Sequence, residues 1–154
     1  MTDPVLDWLL RGDPPVCWQV ERDLADRPQD RWTLTQSLIA SQGWGKRLLD
    51  AQDPSGTWGG GLYGPKWIST TYTLLLLRRF GLDPANSQAL AGVSRLLDDA
   101  DWDEGGVSYW RGRVLAERCV NGMVLSIASW FDTDDSRIDD MARLLIGVRG
   151  CDPR

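Results

Sequence analysis

Three carboxyls crowd into Asp132-Thr133-Asp134-Asp135. Grouped carboxyls can share protons, and one kept protonated in an apolar cavity can serve as a general acid. A general acid could come from this group. Its surroundings point elsewhere. Asp139 and Asp140 follow closely, and Ser136 with Asp139 three residues later spells a capping box. The stretch is therefore expected to be a solvated acidic turn that opens a helix. A calcium loop does not fit, because position six would be Arg137 rather than Gly and position twelve Arg143 rather than Glu.

Other nucleophiles and ligands are sparse. The chain has no His, which removes Ser-His and Cys-His pairs, the usual catalytic zinc sites and imidazole acid–base chemistry. Cys17, Cys119 and Cys151 are far apart and form no CxxC pair. A lone Cys in an apolar helix, as Cys119 is, reads as a small core residue. No metal and no cofactor are expected. The glycines at 59–61 and 105–106 lack the Lys-Ser/Thr of a phosphate loop and read as tight turns. A binding site is better sought where these loops run into helices. One junction offers Tyr63, Lys66, Trp67, Thr70, Thr71 and Tyr72. The other offers Tyr109, Trp110, Arg111, Glu117, Cys119 and Asn121. Aromatic faces bind apolar or cationic groups, and Lys66 and Arg111 would meet an anionic head group near the helix N-termini.

The elements that position these residues repeat. Arg47-Leu48-Leu49 recurs as Arg95-Leu96-Leu97 and as Arg143-Leu144-Leu145, in two steps of 48 from Leu48 to Leu96 to Leu144. The glycine loops and the helix-ending Phe80 and Phe131 recur with offsets of 45 and 51. Ala89, Leu90, Val93, Leu96 and Leu97, and likewise Ile138, Met141, Ala142 and Leu145, form amphipathic stripes. Asp83-Pro84 reads as a helix start. Trp67 to Phe80 and Val120 to Phe131 are apolar on most sides, as helices buried all round are. Outer, half-polar helices thus alternate with buried inner ones. Earlier in the chain, an outer segment at Val5 to Leu10 precedes an inner helix marked by Val16, Cys17, Val20 and Leu24. Arg31 to Ser41 and Trp44 to Gln52 follow as an outer segment interrupted at Gly43. Alternating β-branched runs are absent, so the fold class expected is all-α, in a single repeat domain over residues 1–154.

The segment Gln52-Asp53-Pro54-Ser55-Gly56-Thr57-Trp58 fits Q-x3-G-x-W. It resembles the QW repeat of the squalene-cyclase and protein-prenyltransferase superfamily, and the whole chain resembles small bacterial prenyltransferase and squalene-oxidase repeat proteins. The second loop, Asp101-Trp102-Asp103-Glu104-Gly105-Gly106, keeps the glycines and lacks the Gln. The resemblance implies an α/α-toroid-like arc, an incomplete ring, in which Gln52 and Trp58 tie neighbouring outer helices together. It implies an isoprenoid or other apolar ligand at the junctions. A protonating Asp134 would follow the superfamily's D-x-D-D acid, which opens an inner helix, whereas here it follows one. Prenyltransferase zinc uses Asp, Cys and His, and the missing His leaves Cys119 without a complete set. The function expected is a non-catalytic apolar-ligand-binding or scaffold module, with a fragment or subunit of an isoprenoid-processing enzyme as the alternative.

Composition bounds the rest. The 154 residues, 42% hydrophobic and 25% charged, suit a packed globular core. The net charge of -5, with no Lys/Arg cluster, argues against nucleic acid. No apolar run approaches the roughly 20 residues of a membrane span, and no basic-then-apolar leader is visible, so a cytoplasmic protein is expected. The third repeat breaks at residues 146–151, where another Q-x3-G-x-W would fall. A truncated product, one half of a larger ring, or a homo-oligomer joined through uncapped ends would each account for that. Nine Trp in such a chain are read first as repeated core anchors.

Overall fold

The computed structural model describes residues 3–103, 105–110, 117–131 and 134–147. Helix α1 (Pro4–Leu9) opens on Asp3, whose carboxylate accepts from Val5 N at 2.9 Å. It leads into α2 (Pro14–Asp23), α3 (Gln29–Ser37) with a 3-10 turn at Leu38–Ala40, and α4 (Gly43–Asp50). A glycine loop then enters α5 (Thr70–Phe80), followed by α6 (Ser87–Asp98), β1 (Asp101–Asp103), β2 (Gly106–Ser108), α7 (Arg118–Trp130) and α8 (Arg137–Gly147). Among the described residues, no helix is long and apolar enough to cross a membrane.

Helices α5 and α7 hold the centre. Helix α5 packs against α4, α6 and α7, while α7 packs against α5, α6, α8 and β2. Leu74, Leu77, Val120, Val124 and Ile127 meet Val93, Leu96 and Leu97 of α6 in one apolar cluster. Trp58, Ile39 and Leu49 join it from the N-terminal half. Burial of such aliphatic side chains, at about 1.5–3 kcal/mol each, is the main favourable term.

The loops are stitched to the helices by side chains that are repeated in role but not in type. In the first unit Thr70 Oγ1 donates to Gly61 O (2.8 Å) and accepts from Trp58 N (3.1 Å). In the second, Asn121 does both jobs for Val107, donating Nδ2 to its O (3.0 Å) and accepting from its N (2.7 Å). Indoles fasten the helix ends. Trp58 Nε1 donates to Leu48 O (2.6 Å) and Trp102 Nε1 to Leu97 O (2.7 Å). Gln88 at the start of α6 donates to Leu49 O (3.0 Å), and Gln52 donates to Gln88 O (2.8 Å) and Gly56 O (2.9 Å). So Gln52, Gln88 and Trp58 join the end of α4 to the start of α6. Across the next seam Arg137 substitutes for the amides, donating to Leu97 O (2.9 Å) and Asp98 (2.7 Å).

Several sequence expectations need correction. The chain is mostly rather than wholly helical. The strands pair antiparallel, Asp101↔Ser108, Trp102↔Val107 and Asp103↔Gly106, close to Gly105 at φ 84. Three-residue strands are too short for an alternating pattern to register. An isolated bridge, Trp58↔Gly61, marks the matching place one unit earlier. The helix starts also shift. Asp83 caps only a turn, accepting from Ala85 N, and Asn86 caps α6 by accepting from Ala89 N. Asp135, not Ser136, accepts from Arg137 N at the start of α8. Nor is α5 buried all round: it begins at Thr70, not Trp67, and Leu76 and Arg79 face outward.

Gly92 sets the distance between α6 and the loop. A Cβ there would lie 2.6 Å from Trp58 Cζ3 and 3.3 Å from Leu74 Cδ1. Gly92→Ala should therefore lower stability by about 1–3 kcal/mol through overpacking, although Ala is favoured over Gly in a free helix by about 1 kcal/mol. Urea unfolding followed by circular dichroism checks this. A higher midpoint for the variant would mean that α6 does not sit against Trp58 as described.

Candidate functional site

The first glycine loop is shaped before it presents any ring. Ser69 Oγ donates to Tyr63 O (2.8 Å), and Thr71 Oγ1 donates to Leu62 O (2.7 Å). These bonds aim Tyr63 at the start of α5, where Tyr72 lies 5.4 Å away between ring centroids. Trp67 packs on Tyr72 at 5.1 Å. From the second loop, Tyr109 stacks on Tyr63 at 6.3 Å and 10°, and Trp110 meets its edge at 5.1 Å. Tyr109 is pinned by its own hydroxyl, which donates to Leu96 O (2.9 Å). Five rings from two repeats therefore form one cluster. Beside it lies a cleft of about 510 Å³ lined by Leu62, Tyr63, Asp99, Asp101, Tyr109 and Trp110, among others.

The electrostatics follow from this packing. The Tyr63 hydroxyl is pushed up to about 12, first by its hydrogen bond with Tyr72 and then by burial, with further contributions from the charges of Tyr72, Cys119 and Glu117. Burial pushes the Tyr109 hydroxyl up as well. Both phenols stay neutral near pH 7. Among the described residues, the charged groups lining the cleft are acidic: Asp101, and Asp99 in an ion pair with Arg95 at 2.6 Å.

The sequence-predicted residues divide accordingly. Tyr63, Trp67, Tyr72, Tyr109 and Trp110 come together, and Glu117 and Cys119 are close enough for their charge to act on Tyr63. Thr71 and Asn121 are fully buried and bonded to loop backbone, so they position the loops and do not reach a ligand. Lys66 is exposed and does not line the cleft. Arg111 lies outside the described residues. Cys119 is exposed, against the expectation of a core residue. Val120, Asn121, Val124 and Ile127 fix the inward face of α7, and Cys119 falls off that face. Asp99 and Asp101 were not foreseen, since only the unrecognised hairpin brings them to the rings.

The acidic turn has a different use. Asp134 is exposed. Asp135 receives Arg137 Nη2 at 2.6 Å, and these hydrogen bonds hold its carboxyl below the usual carboxylate range against partial burial. A proton donor at Asp135 would need the reverse shift. Among the described residues, no group of three or more His, Cys, Asp or Glu is placed to hold a metal ion. Comparison with protein-family profiles, curated proteins and solved structures finds no match to this chain.

Two outcomes follow. Cys119 should be alkylated well before Cys17, whose thiol is buried and pushed up in pKa by that burial. Peptide mass spectrometry after timed iodoacetamide labelling reads this, and equal rates would contradict the exposure. Because the Asp135 pKa is depressed on folding, its contribution is present above the unfolded value near 4 and is lost as pH falls through the folded one. Asp135→Asn should reduce stability by roughly 1 kcal/mol at pH 7, with a smaller difference at pH 2.5. A difference that persists undiminished in acid would show that the ion pair is not its source.

Proposed function

We propose that this chain is a non-catalytic α/α repeat module that binds an apolar ligand at the Tyr63–Trp110 cluster. The observation that carries the reading is the convergence of five aromatic rings from two successive repeats beside an open cleft. Trp67 adds to it. It is 77% exposed and sits at φ 77, a conformation that costs a bulky residue about 1–2 kcal/mol. Such an outlier on an exposed indole is a pointer to ligand contact rather than to stability. Among the described lining residues Asp101 and the Arg95-paired Asp99 carry the charge and no cation lines the cleft, which supports an uncharged chain or alcohol as the ligand.

The mutual packing of α5 and α7, with α6 against both, supports placing them as inner helices of an arc with α4, α6 and α8 outside. A second reading, a subunit of an isoprenoid-processing enzyme, is favoured by one observation: Gln52 and Trp58 join α4 to α6 in the manner the QW resemblance implies.

Titrating farnesol and squalene against intrinsic Trp fluorescence, with product analysis by mass spectrometry, tests both readings. Binding without turnover is expected, and a new product would favour the enzyme. Trp67→Gly should weaken binding roughly five- to thirtyfold, equivalent to about 1–2 kcal/mol, while raising thermal stability as the backbone strain is relieved. If neither compound changes the fluorescence, the aromatic cluster is only packing.

A further inference from the structure

A second cleft, of about 540 Å³, shares no residue with the first and is lined by Leu10, Glu21, Arg27, Pro28, Asp30 and Arg31. Glu21 is the unusual member. It is only 7% exposed, on the inward side of α2. Its Oε1 faces Arg31 Nε at 3.4 Å, longer than the roughly 2.7–2.9 Å of a good charge-assisted bond. Its Oε2 is buried with no hydrogen-bond partner. A buried carboxylate oxygen left unpaired is costly, and such groups are normally matched by a donor. Glu21 thus brings to the cleft wall a largely buried carboxylate that Arg31 satisfies only in part.

The same cleft also carries positive charge. Arg27 and Arg31 bring two guanidinium groups, and the start of α3 at Pro28 carries no side-chain cap. Uncapped helix N–H groups beside Arg favour an anion. Among the described residues the side chains lining the cleft thus balance, two acidic against two basic, with Leu10 and Pro28 as the apolar part. A ligand with one charge of either sign leaves half of that arrangement unused.

We propose that this cleft binds a small zwitterion of the α-amino acid class. Its ammonium group is received by Glu21, its carboxylate by Arg27, Arg31 and the α3 N-terminus, and its side chain lies against Leu10 and Pro28. Arg31, with 62% of its side chain exposed, can turn from Glu21 towards the incoming carboxylate.

Saturation-transfer NMR of the full chain against pools of the free α-amino acids, followed by calorimetry on those that respond, tests this. At least one amino acid should bind. Its affinity should fall by about tenfold or more in Glu21→Gln and in Arg27→Ala. For L-leucine as the responding ligand, isoamylamine and isocaproate, which each keep one charge, should bind as weakly as they do to the variants. Arg27 is exposed, so Arg27→Ala decides the matter if Glu21→Gln does not fold. The proposal is overturned if no free amino acid binds, if binding survives both substitutions, or if the amine alone binds as well as the amino acid.

Discussion

An indole N–H given to the carbonyl of a finished helix is the interaction on which this structure rests. A helix ends with four carbonyls that lack partners, and an indole buried without an acceptor is penalised. Placing one against the other answers both needs at once. Trp58 adds such a bond to Leu48 O, which also accepts from Ala51 N, at the end of α4, and Trp102 gives one to Leu97 O at the end of α6. Trp18 bonds Phe80 O at 2.7 Å, and Trp130 bonds Leu82 O at 3.1 Å, so the end of α5 is held from two sides. The indoles bring large apolar area to the same points, and the helix ends become part of the core instead of fraying at its edge.

The units conserve the task and change the chemistry. A threonine hydroxyl in one and an asparagine amide in the next each act as donor and acceptor for a loop backbone. Two glutamines bridge one pair of helices, and an arginine with two aspartates bridges the other. With both loops anchored, their outer surfaces supply the rings of the candidate site. The buried Thr71 and Asn121 and the half-exposed Tyr63 and Tyr72 are two faces of one construction.

Much of this was legible beforehand. The 48-residue recurrence of Arg-Leu-Leu and the stripes of α6 and α8 located the helices, because helical periodicity survives any loop change. The aromatic junctions were legible as a cluster, since matched positions in stacked units lie side by side. What escaped was decided by single side chains. Whether Asp83, Asn86 or Ser136 caps a helix depends on which carboxylate or amide reaches an N–H, and spacing alone does not say. Cys119 differs from Val120 by one step around α7, and that step separates the surface from the core. The pairing of β1 with β2 was invisible because the two strands are shorter than the pattern that would reveal them.

The two helix seams also respond differently to their solvent. The seam from α4 to α6 is closed by neutral amides and an indole, which added ions scarcely affect. The seam from α6 to α8 depends on Arg137 lying between Asp98 and Asp135, with its guanidinium 5.3 Å from the Trp102 ring centroid. Dissolved salt screens such partly exposed charges. Ionic strength therefore acts unevenly on the two seams, weakening the Arg137 ion pairs and leaving the amide bonds nearly untouched. The last helix keeps its apolar anchor on α7 through the buried Met141, so salt tunes the rim of that seam and not its centre.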